Sequence, residues 1–248
     1  MYYRIEGKMN KLKKYLEKYP NAHILDIGTG RGDFIALIDQ LYQNYSEIIG
    51  IDITDHLIEI NNTRYESNPK IKFIKDDILL SNLKEGTFDV VCLSNTLHHL
   101  GYLDETLRAM NAMVKEDGII VINEMISNNL NQHQVSHKLL HHFSARIDRV
   151  LNRYHDETFK EEEILDIFKN SSCLTLSDYW YLDIPDNQVI EDSTSLINLI
   201  DRLTSQIKDK DNYPEIFMEA EEIKSYIKEH GFQSATQLLL ILNKKHQK

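Results

Sequence analysis

Five short apolar runs, separated by segments of helix length, leave few options for what this chain can become. The runs are HILDIG at 23–28, EIIGID at 47–52, IKFIKD at 71–76, FDVVCLS at 88–94 and IIVINEM at 119–125. Runs of this length and composition read as buried strands. Their alternation with helices builds a parallel sheet covered on both faces, an α/β fold. The segments between them carry helical signals. FIALIDQLY at 34–42 spaces its apolar residues for a helix, and Thr54 can cap a helix reaching about Tyr65. Segment 103–114 puts Leu107, Met110, Met113 and Val114 on one face, with Gly118 read as its stop. An amphipathic segment at 8–19, stopped by Pro20 and Asn21, precedes the first strand.

The second half changes character. Residues 129–152 read as a polar, histidine-bearing helix and 160–170 as another; 173–184 reads as a sixth strand. Two helices broken near Asn212-Tyr213-Pro214 are predicted within 190–229, and TQLLLIL at 236–242 is a seventh strand. Repeats, low-complexity stretches and flexible linkers are absent from the sequence, so 1–248 reads as a single domain. It carries an N-terminal helix within 1–20 and helical insertions at 127–170 and 185–232.

Charge and composition narrow the partners. The formal net charge is −11 and the lysines are scattered, mostly toward the two ends. A protein that grips a phosphate backbone usually presents a basic face, which argues against nucleic acid. No apolar run approaches the roughly 20 residues that span a membrane. The opening MYYRIEGKMNKLKKYLEKYP lacks the apolar core and cleavage site of a signal peptide. Cys92 and Cys173 sit in apolar runs and are read as buried thiols, the usual state in a reducing cytoplasm.

The sharpest local signal is Leu25-Asp26-Ile27-Gly28-Thr29-Gly30-Arg31-Gly32, which leaves a strand and enters a helix. Glycines there let the backbone turn tightly and approach a ligand. The spacing is Gly-x-Gly-x-Gly, with Asp33 where a dinucleotide loop would place its third glycine. The Gly-Lys-Ser/Thr of a phosphate-cradling loop is missing too. An acid beside the loop, Asp26, suits a cationic ligand and would repel a pyrophosphate. Asp52 ends the second strand, where carboxylates hold ribose diols. Asp77 follows the third and can accept from an adenine amino group, with Ile78 flanking the ring. Three acids at successive strand ends lie on the edge where open α/β sheets bind ligands.

With these residues in order, the sequence resembles the class I S-adenosylmethionine-dependent methyltransferases of the small-molecule type. ILDIGTGRG resembles the family's first motif, IIGIDIT the second, KDDILL the third and FDVVCLSNTLHHL the fourth. MVKEDGIIVINEM resembles the next, although Lys115-Glu116-Asp117-Gly118 replaces the usual Lys-Pro-Gly-Gly turn. The resemblance implies a Rossmann-like, seven-stranded, mostly parallel sheet whose last strand inserts antiparallel between two others. It implies S-adenosylmethionine as cofactor, with Asp26 and Gly28 near the methionine moiety, Asp52 on the ribose, Asp77 and Ile78 at the adenine, and Ser94 and Asn95 beside the sulfonium. Thr29, Gly30, Gly32 and Ile53 complete the expected cofactor-binding set.

The acceptor side is less determined. His98, His99 and Glu124 follow the fourth and fifth strands and are candidates for lining the acceptor pocket or moving a proton. His133, His137 and His141, at i, i+4 and i+8, share one helix face, with His142, Arg146, Arg149 and His155 nearby. His133 and His137 join the catalytic candidates. His133, His137 and His141 are also the only candidate metal ligands, although no metal is predicted, since HExxH and paired CxxC motifs are absent. The N-terminal helix and the two insertions are expected to form a lid over a small-molecule acceptor. Ser94-Asn95-Thr96-Leu97 stands where an adenine-flipping enzyme would carry Asp/Asn-Pro-Pro-aromatic, which again argues against nucleic acid. A non-catalytic protein that binds the cofactor, or serves as a scaffold, is the alternative reading. A nicotinamide-dependent oxidoreductase is disfavoured by the glycine spacing, and the oligomeric state is not legible.

Overall fold

Seven strands form one sheet in the order β3-β2-β1-β4-β5-β7-β6. They are β1 (Ala22–Ile27), β2 (Tyr45–Asp52), β3 (Ile71–Lys75), β4 (Phe88–Ser94), β5 (Val114–Met125), β6 (Leu174–Leu182) and β7 (Gln237–Lys244). The first five pair in parallel, and β7 runs antiparallel between β5 and β6. The computed structural model describes residues 2–182, 189–190 and 192–245, with side chains in the first helix from residue 9 onward. The part of the 185–232 insertion formed by 185–188 and 191 lies outside the described residues.

The inner strands β1, β2, β4 and β7 and the second half of β5 carry nearly continuous apolar runs because both faces are covered, whereas the edge strands β3 and β6 alternate buried and exposed residues. On one face Leu25, Val91, Ile120 and Leu240 pack with α4 (Leu103–Met113) and α6 (Glu161–Lys169). On the other, Ile24, Val90, Val121 and Leu239 pack with α1 (Tyr2–Leu16), α2 (Asp33–Leu41) and α3 (Asp55–Arg64). Neighbouring residues such as Leu239 and Leu240 serve opposite faces, as the two-residue period of a strand requires. Each buried side chain of this size contributes about 1.5–3 kcal/mol by leaving water.

Three sequence expectations change in detail. Gly118 does not stop a helix. α4 ends at Met113 and β5 already begins at Val114, so Gly118 lies within the strand, where a Cβ would sit 2.7 Å from the Asp89 carbonyl oxygen. Cys92 is buried, but Cys173 is only half-buried. The described part of α1 does not lie over the sheet edge as a lid. Leu12 and Leu16 enter the core, and Lys11 and Tyr15 bond the Asp178 carboxylate of β6 at 2.8 and 2.7 Å.

The second half adds a helical cap built from α5 (Gln132–Val150), α7 (Thr194–Ser205) and α8 (Tyr213–His230). It has an apolar core of its own, centred on Phe143, Ile147, Ile200, Ile216 and Ile227. α5 is therefore amphipathic rather than polar. It opens with a capping box in which Asn131 accepts from the Gln134 N–H and Gln134 from the Asn131 N–H.

Candidate active site

The strand order reverses between β1 and β4, and a ligand crevice is expected at the carboxyl ends of those two strands. A cavity of about 490 Å³ lies there. Its wall is formed by the loop after β1 (Gly28, Gly30), the end of β2 (Asp52, Ile53, Thr54), the turn after β3 (Asp76, Asp77, Ile78) and the segment after β4 (Asn95, Thr96, His99, Tyr102). Tyr154 closes the far side.

The glycine loop needs its glycines for two different reasons. Gly28, Gly30 and Gly32 all have positive φ, at 66°, 50° and 74°. A Cβ at Gly28 would meet Thr96 Cγ2 at 2.4 Å, so this glycine lets the loops after β1 and β4 touch. A Cβ at Gly30 would meet nothing nearer than the Gly28 carbonyl oxygen at 4.0 Å. Gly30 lines the cavity, so its missing side chain is space a ligand can take. The loop is held by side chains the sequence did not single out. The buried Asn61 donates to the Gly30 carbonyl at 2.8 Å, and Arg64 donates to the Arg31 carbonyl at 2.8 Å.

The acids divide by role. Asp52 accepts the Gly30 N–H through Oδ2 and the Thr54 N–H through Oδ1, both at 2.9 Å, and still borders the cavity. A carboxylate has about four lone-pair sites, so capacity remains for ligand hydroxyls. Asp77 accepts the Leu79 N–H at 3.0 Å and Asp76 accepts the Ser81 hydroxyl at 2.5 Å, shaping the turn below Ile78. Asp76 was missed because it adjoins Asp77 and only the turn shows that both reach the wall. Asp26 lies beneath the loop, 1% exposed, and its Oδ1 has no partner among the described residues. Burial pushes its carboxyl up to about 7, the Thr29 hydroxyl opposes that rise and the charge of Asp52 adds to it.

Of the expected cofactor residues, Gly28, Gly30, Asp52, Ile53, Asp77, Ile78 and Asn95 line the cavity. Asp26, Thr29, Gly32 and Ser94 stand behind them. Ser94 accepts from Asn123 at 2.9 Å, and Asn95, held at φ 46°, accepts the Met125 N–H at 3.1 Å. Exposed Ile53 offers an apolar surface to a flat ring.

The acceptor-side candidates separate. His98 and Glu124 are both fully buried, with His98 Nδ1 2.6 Å from Glu124 Oε1, while Glu124 Oε2 accepts the Leu97 N–H at 3.0 Å. His99 reaches the cavity wall. Although His99 is exposed overall, burial of its ring among protein atoms brings its pKa down to about 3, helped by His98 and His155. His133 and His137 do not join this group. His133 bonds the His230 carbonyl, and His137 accepts the Ala235 N–H at 2.9 Å and packs on Phe232. They tie α5 to the chain leading into β7, so the metal-ligand trio His133, His137 and His141 is not assembled. Only His141 of the three turns toward His98, their ring centroids 4.7 Å apart. Its partners there are His98, His99 and His155, a grouping that helical spacing cannot show.

A doubly wound α/β sheet with a glycine loop at its switch point and acids at the next two strand ends defines a nucleoside-cofactor enzyme fold. Residues 18–229 match the family described as "Methyltransferase domain", and the chain belongs to it. The phosphoethanolamine N-methyltransferase of Plasmodium falciparum is 27% identical over 199 residues, covering 76% of this chain and 68% of that protein. A hybrid polyketide–nonribosomal peptide synthetase of Emericella nidulans is 28% identical over 120 residues, which is 46% of this chain and only 3% of the synthetase. A methyltransferase from Thiobacillus denitrificans, solved with S-adenosylhomocysteine, superimposes with a TM-score of 0.56 at 15% identity, covering 96% of this chain and 91% of that one. This last likeness is one of fold, the class I Rossmann-like arrangement with the antiparallel β7.

Proposed function

We propose that this protein transfers a methyl group from S-adenosylmethionine to a small-molecule acceptor. The observation that carries the reading is the cavity at the β1–β4 switch point, where a side-chain-free position at Gly30 faces the Asp52 carboxylate. When bound, the cofactor would supply an activated methyl carbon on a sulfonium, which the acceptor's nucleophilic atom would take while S-adenosylhomocysteine leaves with the carbon–sulfur bonding pair.

The chain's own residues then have positional tasks. Asp52 holds ribose hydroxyls with its free lone pairs. Ile53, Asp77 and Ile78 would hold the adenine, the two isoleucines offering apolar surface and Asp77 an acceptor. Asp26 sits under the loop, ready to balance the cationic methionine end. The acceptor enters between Asn95, His99, Tyr102 and Tyr154 on the far wall. His99, neutral at ordinary pH, hydrogen-bonds the acceptor. It is too weak a base to drain a proton near pH 7, where a matched catalytic base would titrate. The cap of α5, α7 and α8 shapes acceptor entry.

Calorimetry with S-adenosylmethionine, S-adenosylhomocysteine and NAD tests the cofactor, and incubation of metabolite extracts with methyl-labelled cofactor tests transfer. Binding of both adenosyl compounds with label appearing in a small product is the expected result. NAD binding without response to either adenosyl compound refutes the cofactor reading. Tight cofactor binding with no labelled product from any extract refutes methyl transfer to a small molecule.

A further inference from the structure

Beside the cofactor cavity four imidazoles from three stretches of chain come together. His98 and His99 lie in the short 3-10 turn Leu97–His99 after β4, His141 on α5, and His155 on the segment following it. Ring centroids are 4.0 Å apart for His99–His155, 4.4 Å for His98–His99, 4.7 Å for His98–His141 and 5.2 Å for His141–His155. One ring nitrogen of each lies within 4.8 Å of one from every other.

Three of these rings have a buried nitrogen without a hydrogen-bond partner among the described residues: His98 Nε2, His141 Nδ1 and His155 Nε2. His98 and His155 are themselves 1% and 5% exposed. Buried polar atoms are almost always paired, so three unpaired nitrogens in one cluster call for a common partner. The opposite nitrogens explain how the lone pairs are presented. His98 Nδ1 lies 2.6 Å from Glu124, and His155 Nδ1 lies 2.8 Å from Asp148. Each carboxylate accepts a hydrogen bond from the Nδ1–H and leaves Nε2 with a free lone pair to offer. A carboxylate behind a histidine is the usual support of a metal-ligating imidazole.

We infer that His98, His99, His141 and His155 form a binding site for a divalent transition metal of the zinc type, set into the wall of the cofactor cavity. Imidazole nitrogens suit zinc, copper, nickel and iron, whereas magnesium and calcium require oxygen ligands. Zinc–nitrogen bonds of about 2.0–2.1 Å put tetrahedral nitrogens about 3.4 Å apart, so the four rings close by on the order of 1 Å through side-chain rotation. Such a metal joins the β4 turn to α5, and so the sheet to the helical cap. His99 is the member that also lines the cavity, which places the metal one side chain from the acceptor space. The site differs from the trio expected on the face of α5, since His133 and His137 are committed to backbone groups. Metal binding here does not depend on methyl transfer, and its readout is separate from activity.

The test uses untagged full-length protein stripped with chelator and then dialysed against Co²⁺ or Zn²⁺. We expect uptake of about one equivalent, ligand-field absorption typical of tetrahedral Co²⁺, and displacement of that signal by Zn²⁺. His141→Ala and His155→Ala should each weaken Zn²⁺ binding by roughly a hundredfold or more. Glu124→Gln should weaken it by about 10–100-fold through the loss of its support. His142→Ala, whose ring bonds Thr158 outside the cluster, should bind as the wild type does. Uptake far below one equivalent by the wild-type protein overturns the site, and this holds even where a variant fails to fold. Full retention of Zn²⁺ by well-folded His141→Ala and His155→Ala proteins overturns it as well.

Discussion

Asp52 accepts the backbone N–H of Gly30 at 2.9 Å, so the acid at the end of β2 and the middle of the glycine loop form one unit. In the function proposed above, the same carboxylate holds the cofactor's ribose. Asp52→Ala should therefore weaken S-adenosylhomocysteine binding about tenfold to a hundredfold, since hydrogen bonds to a charged acceptor contribute about 1.5–3 kcal/mol. Calorimetry measures this directly, and an unchanged dissociation constant would place the ribose elsewhere.

Gly28 and Gly30 should respond differently to alanine. At Gly28 the new Cβ collides with Thr96 and the φ of 66° is strained, so Gly28→Ala should lower the melting temperature markedly. At Gly30 the Cβ enters open cavity, so Gly30→Ala should cost only about 1 kcal/mol of backbone strain. Its main effect should be on cofactor affinity, with a loss of tenfold or more. Thermal melts alongside calorimetry separate the two, and equal effects of both variants on stability would contradict the distinction.

Asp26 makes stability depend on pH in a defined direction. Its carboxyl is raised to about 7, above the ordinary carboxylate value, so the folded state holds the proton more tightly than the unfolded chain. Stability from this group is complete below about pH 4 and is lost as pH rises through 7. Asp26→Asn removes the buried charge and should stabilise the unliganded protein at pH 8 by on the order of a few kcal/mol, with little effect at pH 4. Denaturant unfolding at both pH values checks the sign. A variant less stable than wild type at pH 8 would show that Asp26 is ionised and well compensated.

His137 accepts the Ala235 N–H, so His137→Ala leaves a backbone donor unpaired. It should destabilise the fold by about 1–3 kcal/mol while leaving cofactor affinity unchanged. Denaturant midpoints and calorimetry measure the two effects separately. A cofactor affinity that falls with the stability would mean that the α5 tie shapes the cavity itself.

The period of the apolar runs, the glycine loop and the acids at strand ends are local signals, and the sequence alone determined from them the α/β class, the parallel part of the sheet and the Gly28, Gly30, Asp52 and Asp77 part of the cavity wall. A strand buried on both faces needs a continuous apolar run, and a backbone at positive φ needs glycine, so both properties are written in neighbouring residues. Side-chain partnerships across distant segments are not written that way. Asn61 holding the loop, Asp76 joining Asp77 at the wall and α1 lying along β6 depend on which elements the topology brings together. The histidines show this most clearly. Helical spacing puts His133, His137 and His141 on one face of α5, but α5 spends the first two on the chain entering β7. Only the packing of the cap against the β4 turn delivers His141 and His155 to His98 and His99. A helix face is set by the 3.6-residue period, while what that face meets is set by tertiary contacts that no local period encodes.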